Sequence, residues 1–109
     1  MTYSVMLDER IASCISAWDT TRKKMFGGTC YLLDGNMMCG VYKDFLILRL
    51  GEHAASSVLK MPDVHPFDIT GRPMKGWVMV EEGALTDDLL CDWLEEARAF
   101  VETLPAKDL

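Results

Sequence analysis

The sequence predicts a two-layer α+β domain, with helices on one face of an antiparallel sheet of about five strands, in the order α-β-β-β-α-β-β-α. Three observations carry this. Apolar residues recur at helical spacing near both ends of the chain, and between them short apolar runs alternate with turn residues. Half of the 109 residues are hydrophobic and 26% are charged, enough for one ordinary core without metal or disulfide staples. A chain of this length is most simply one domain, residues 1–109.

Leu7, Ile11, Cys14, Ile15 and Trp18 share a helical face, which predicts a first helix over about residues 4–18, ended by Asp19-Thr20-Thr21. Arg22–Leu33 reads as a strand kinked at Gly27-Gly28. Asp34-Gly35 is a strong hairpin signal, Met37–Tyr42 a second strand, and Lys43-Asp44 a turn into a third, Phe45–Leu50. Glu52–Lys60 is helix-prone, with a small apolar face of Ala54, Ala55, Val58 and Leu59. Pro62 and Pro66 make the next stretch irregular. Phe67–Ile69 then reads as a short strand, Gly71–Pro73 as a turn, and Lys75–Val80 as a last strand. Thr86 caps the clearest helix, with Asp87 and Asp88 at its positive end. Its apolar stripe runs through Leu89, Leu90, Trp93, Leu94, Ala97, Phe100, Val101 and Leu104.

The net charge of −6 is unevenly spread: residues 22–75 carry eight basic against five acidic side chains, and residues 76–109 two against nine. The acidic balance argues against direct DNA binding, which rests on neutralising phosphates. No apolar run approaches a membrane span, and Met1-Thr2-Tyr3-Ser4 lacks the basic and apolar regions of a signal peptide, so a cytoplasmic protein is expected. No metal or other cofactor is expected: the four cysteines show no CxxC pairing and no histidine at ligand spacing. Cys14 and Cys91 fall on apolar helix faces and read as small core residues. If Asp34-Gly35 form a two-residue type I′ turn, Cys30 faces Cys39 within disulfide reach, whereas a three-residue turn would separate them; reduced thiols in a sheet are the plainer reading.

Catalysis has little to stand on. His53 and His65 are the only imidazoles, neither lies at motif spacing from a nucleophile, and no GxSxG, HExxH or phosphate-binding loop occurs. Two glycine-punctuated stretches carry the more specific chemistry: Met25-Phe26-Gly27-Gly28, preceded by Arg22, and Gly71-Arg72-Pro73-Met74-Lys75-Gly76-Trp77. Each sets glycines beside a cation and a large side chain, which suits either a special backbone or a docking surface. Strand alternation puts Arg49 on one face with Phe45 and Ile47, where the guanidinium needs a partner; Asp68, Glu52 or a bound anion would serve. Trp77 reads as a core residue facing the last helix. Arg22, Met25, Phe26, Gly27, Gly28, Arg49, Arg72, Pro73, Met74 and Lys75 are therefore the candidate binding residues, with no catalytic ones.

Taken in order, Met25-Phe26-Gly27-Gly28, Asp34-Gly35-Asn36-Met37-Met38, Leu46-Ile47-Leu48-Arg49, Pro66-Phe67 and Gly71–Trp77 resemble the N-terminal domain of the TfoX/Sxy family, from about residue 5 to residue 101. The resemblance implies a two-layer domain similar to secretion chaperones, in bacterial regulators of DNA-uptake competence that act as protein coactivators beside a cyclic-AMP-responsive transcription factor. It implies no catalytic residues. Two-domain members carry a further helical domain; with the chain ending at Leu109, a stand-alone domain is expected. The leading expectation is thus a non-enzymatic regulatory or adaptor domain with a protein partner. The runner-up is a module binding a small anion, such as a nucleotide or phosphate compound, between Arg22, Arg49 and Arg72. An edge strand, Phe67–Ile69 or Lys75–Val80, offers pairing across a two-fold axis, and a homodimer is expected.

Overall fold

In the computed structural model, which describes residues 3–25, 27–68 and 71–106 (of Met25 the backbone alone), the first apolar stripe forms helix α1, Val5–Cys14. The Ser4 hydroxyl accepts the Leu7 N–H at 3.1 Å and caps it. Leu7, Ile11 and Ile15 are buried along one side, but the regular helix stops at Cys14 and the chain turns through residues 15–18.

Six strands follow: β1 (Thr20–Met25), β2 (Gly28–Leu33), β3 (Asn36–Tyr42), β4 (Phe45–Arg49), β5 (Val64–Pro66) and β6 (Trp77–Glu81), with α2 (Glu52–Val58) between β4 and β5 and α3 (Asp87–Val101) last. They make one sheet in the order β1-β2-β3-β4-β6-β5, every neighbour antiparallel. The expected α+β class and order hold, with one strand more than expected. The extra strand comes from the first glycine pair, which does not kink one strand but reverses it. Met25 pairs with Gly28, and Gly27 takes φ 75° between them. Gly28 is required for another reason: a Cβ there would strike the Val41 carbonyl of β3.

Two further expectations are corrected. The short strand lies at Val64–Pro66, ahead of Phe67; Ile69 lies outside the described residues. The Lys75–Val80 segment supplies β6, which sits between β4 and β5 and is no edge. The edges are β1 and β5, and β1 carries Arg22, Lys23 and Lys24, a charged guard against strand pairing.

Alternation sorts the sheet's side chains onto two unlike faces. Tyr31, Leu33, Cys39, Val41, Leu46, Leu48, Val78 and Val80 meet Leu7 and Ile11 of α1 and Leu90, Leu94, Ala97 and Val101 of α3 in the main core. Ile47, Met79 and Phe67 form a smaller cluster on the opposite face, fringed by Met37, Tyr42, Phe45 and Trp77.

At the turn between β2 and β3, Asp34 (φ 53°) and Gly35 (φ 80°) adopt the type I′ conformation, and Leu33 faces Asn36 as expected. A bulge then intervenes: Leu32 pairs with Met37 but Tyr31 with Cys39. Cys30 therefore faces Gly40, and the two thiols lie on opposite faces; both are buried and outside any disulfide. The pair the structure does join is Cys14–Cys91, whose Cα atoms are 5.6 Å apart across α1 and α3. The reading of these two as simple core residues is thus overturned, because α1 and α3 pack side by side and bring their cysteine turns together. Arg10 donates to the Leu85 carbonyl at 2.6 Å and pairs with Asp87, and Arg98 lies over the Trp18 ring, 4.6 Å from its centroid.

One buried carboxylate ties α1 to the sheet. Asp8 accepts the hydroxyls of Tyr31 (2.8 Å) and Thr29 (2.9 Å) on one oxygen, and Arg22 Nη2 (2.7 Å) and Nε (3.2 Å) on the other. Burial pushes its pKa upward, but the hydrogen bonds from Arg22, Tyr31 and Thr29 and the guanidinium charge outweigh it, and the value lies below the ordinary one. Burial and the Asp8 bond together raise the Tyr31 phenol.

Asp8→Asn should cost about 2–3 kcal/mol at neutral pH in urea unfolding, since it removes the charge and turns one acceptor into a donor facing donors. A lowered native pKa means the carboxylate's contribution is complete above the ordinary 3.8 and is lost as pH falls through the native value. The stabilities of wild type and variant should therefore converge in acid. Separately, the Cys14–Cys91 bridge spans 77 residues, and a closed loop of that order restrains the unfolded chain by up to about 4 kcal/mol. Reductant should lower the melting temperature of the wild type and leave that of a Cys14→Ser/Cys91→Ser variant unchanged.

Candidate functional site

The face of the sheet opposite the helices holds the most unusual surface chemistry. Arg49 ends β4 and is half-buried, its neighbour across the ladder being Trp77 of β6. The guanidinium lies over the Trp77 ring, 5.2 Å from its centroid. Among the described residues no carboxylate comes within 4 Å of it, so neither Asp68 nor Glu52 is its partner; the ring takes that place. Trp77 in turn packs at 5.7 Å on Phe67, so it faces away from the last helix, contrary to expectation. Further along the same face, the Phe45 ring meets His65 edge-on at 5.8 Å, His65 Nε2 lies 2.7 Å from Glu81 Oε2, and Lys43 Nζ lies 5.4 Å from the Tyr42 ring centroid.

Gly76 positions the end of this face. Its φ of 87° is left-handed, and its carbonyl accepts the N–H groups of Leu50 (2.8 Å) and Gly51 (3.1 Å), locking the start of β6 to the β4–α2 junction. That brings Lys75 beside Arg49, where the two cations, Trp77, Glu52 and Phe100 line a shallow cleft of about 100 Å³. Arg72, Pro73 and Met74 are exposed in the loop leading to it, and Met74 donates its backbone N–H to the Phe67 carbonyl.

The candidate residues therefore separate. Arg49 and Lys75 come together, with Arg72, Pro73 and Met74 on the adjoining loop. Arg22 does not join them. It lies on β1, three strands from β4 and on the helix face, where Asp8 holds it and raises its pKa. At the usual strand spacing that is roughly 14 Å across the sheet, so the expected convergence of Arg22, Arg49 and Arg72 on one anion does not occur. Gly27 and Gly28 serve the β1–β2 reversal. Phe26 and the Met25 side chain lie outside the described residues. Tyr42, Phe45, His65, Phe67 and Trp77 belong to the open face and were missed. Period-two alternation had aligned Phe45, Ile47 and Arg49, but only the strand order tells which other strands share their side.

Neither of these two thiols is placed for chemistry with His65, which lies on β5 at the far edge of the sheet. Cys39 is buried on the helix face, where burial, with the charges of Cys30 and Asp8, pushes its pKa far up. Cys30, on the other face, is raised by burial, which outweighs the opposing pull of Lys23.

The molecule is thus a two-layer α+β domain with one helix-covered face and one open face of cations stacked on aromatic rings. The family model of the TfoX N-terminal domain matches residues 13–101, and the chain belongs to that family. No curated protein and no solved structure matches it. No helix among the described residues is long and apolar enough to cross a membrane.

With their pKa values raised and their sulfurs buried, Cys30 and Cys39 should react negligibly with a thiol reagent at neutral pH in the native protein. Both should titrate after denaturation without reductant, while Cys14 and Cys91 stay silent.

Proposed function

We propose that this chain is a non-enzymatic regulatory or adaptor domain that works by protein–protein contact, its docking surface being the open sheet face around Arg49, Lys75 and Trp77. One observation carries the reading. A guanidinium with no carboxylate partner among the described residues is stacked on a half-exposed tryptophan, which packs on Phe67, on the face that carries Phe45 and Tyr42 further along. Aromatic rings and arginine together are the composition of interaction hot spots. The partner that fits is a protein presenting carboxylates around an apolar patch.

Membership of the TfoX N-terminal family supports a regulatory setting, with transcriptional control of competence as the role the resemblance implies. The acidic net charge supports action through a protein partner without direct DNA binding. A cytoplasmic setting belongs to this reading and places a demand on the Cys14–Cys91 bridge, since reducing compartments disfavour disulfides.

Arg49→Ala combined with Lys75→Ala removes the cations and leaves the main core untouched. The variant should lose no more than about 1 kcal/mol of stability. In quantitative affinity capture from native extract it should lose the partner that the wild type retains. A partner held equally by both proteins, or none recovered by the wild type, defeats the proposal.

A further inference from the structure

A second surface, on the helix side of the sheet and away from Arg49, is built for a different kind of contact. Where α2 and α3 part, they leave a groove of about 340 Å³ whose floor is Val64 and Val80 and whose walls are Val58, Met61, Leu89 and Trp93. Met61 and Leu89 are among the exposed large hydrophobic residues, 48% and 47% accessible, although Leu89 belongs to the apolar stripe expected to be buried. The rim is acidic. Asp63, Asp92 and Glu96 line it, no cation does, and none of the three has an ion pair among the described residues. Asp92 and Glu96 stand four residues apart on α3, where like charges repel, a cost that a cation seated between them would relieve.

We infer that this groove binds a cationic amphipathic helix of another protein, its apolar side chains entering between Met61, Leu89 and Trp93 and its lysines or arginines meeting the three carboxylates. Charge complementarity selects this occupant. An acidic segment would face three unrelieved carboxylates, and a purely apolar one would leave the rim charges without compensation. A second copy of this chain offers no free cationic helix: α1 and α3 carry one arginine each, Arg10 and Arg98, both already paired with carboxylates, and α2 carries no lysine or arginine. A helix laid in a groove anchors through residues at i, i+3, i+4 and i+7, which matches the run of Leu89 and Trp93 along α3. This surface is distinct from the open sheet face, and its test does not depend on the reading given to Arg49.

The test is a titration of the full chain with a tryptophan-free synthetic peptide of about 15 residues, bearing leucines at i, i+3, i+4 and i+7 and flanking lysines. Labelled-amide spectra and peptide anisotropy follow binding. Amide shifts should concentrate at Val64, Val80, Leu89 and Trp93, and a peptide with glutamates in place of the lysines should not bind. Asp92→Lys with Glu96→Lys should weaken binding at least tenfold, as should Leu89→Ser. Glu9→Lys with Asp19→Lys, the same charge change at exposed positions on and beyond α1, should alter it less than twofold. Shifts centred on the open sheet face, equal weakening by both charge-reversed pairs, or no binding would each overturn the inference. So would occupation of the groove by a second copy, seen as self-association that perturbs the same amides without peptide.

Discussion

The two faces of this domain are kept apart by one buried carboxylate. Asp8 sits near the start of α1, yet all four of its hydrogen-bond donors come from β1 and β2. An unpaired charge at that depth would be strongly destabilising, so α1 is obliged to lie across the edge of the sheet where Arg22, Thr29 and Tyr31 converge. The disulfide and the Arg10 contacts then hold α3 alongside α1. With α1 and α3 placed on one side, the other side of the sheet is left to Arg49, Trp77 and their neighbours. The same bond that anchors the helix also removes Arg22 from the set of cations available to a ligand.

That division separates the charge as well. The cations of the middle segment, Lys23, Lys43 and Arg49, alternate onto or border the open face. The carboxylates of α3, Asp88, Asp92 and Glu96 among them, are exposed on the helix layer. Only part of the uneven distribution visible in the amino-acid sequence lies across the thickness of the domain, since Arg22 and Lys24 of the same segment stand on the helix side.

Much of the fold was legible because local chemistry and tertiary packing agree. Thr86 caps the helix it precedes, Asp34-Gly35 makes the turn such a pair should make, and the stripe of α3 is buried at Leu90, Leu94, Ala97 and Val101. What escaped sequence reading has a common cause: each case turned on how distant segments meet. A glycine pair serves a bulge or a reversal equally well, and only the pairing of Lys23 with Cys30 decides for reversal. The bulge between Tyr31 and Leu32 has no local signature, yet it moved Cys39 to the face opposite Cys30. Trp77 went to the open face because β6 pairs with β4 in the register that sets it opposite Arg49. The candidate site was legible as a list of residue types and illegible as a place, since Arg22 and Arg49 look alike until strand order separates them.

The glycine segments that mark the family have a role in this arrangement that is distinct from contact. Gly28 and Gly76 are both buried, the first under the β3 backbone and the second against the β4–α2 junction. Gly28 offers no surface to a partner, and Gly76 only lines the cleft between Arg49 and Lys75. Their contribution is to bring exposed residues to fixed stations, with Lys75 set beside Arg49 as the clearest case. A docking surface held on strands and locked turns loses little conformational freedom on binding, so more of its interaction energy remains as affinity. On the proposed reading, conservative replacement of these glycines would weaken partner contact through misplacement of the cations, even where the cations themselves are retained.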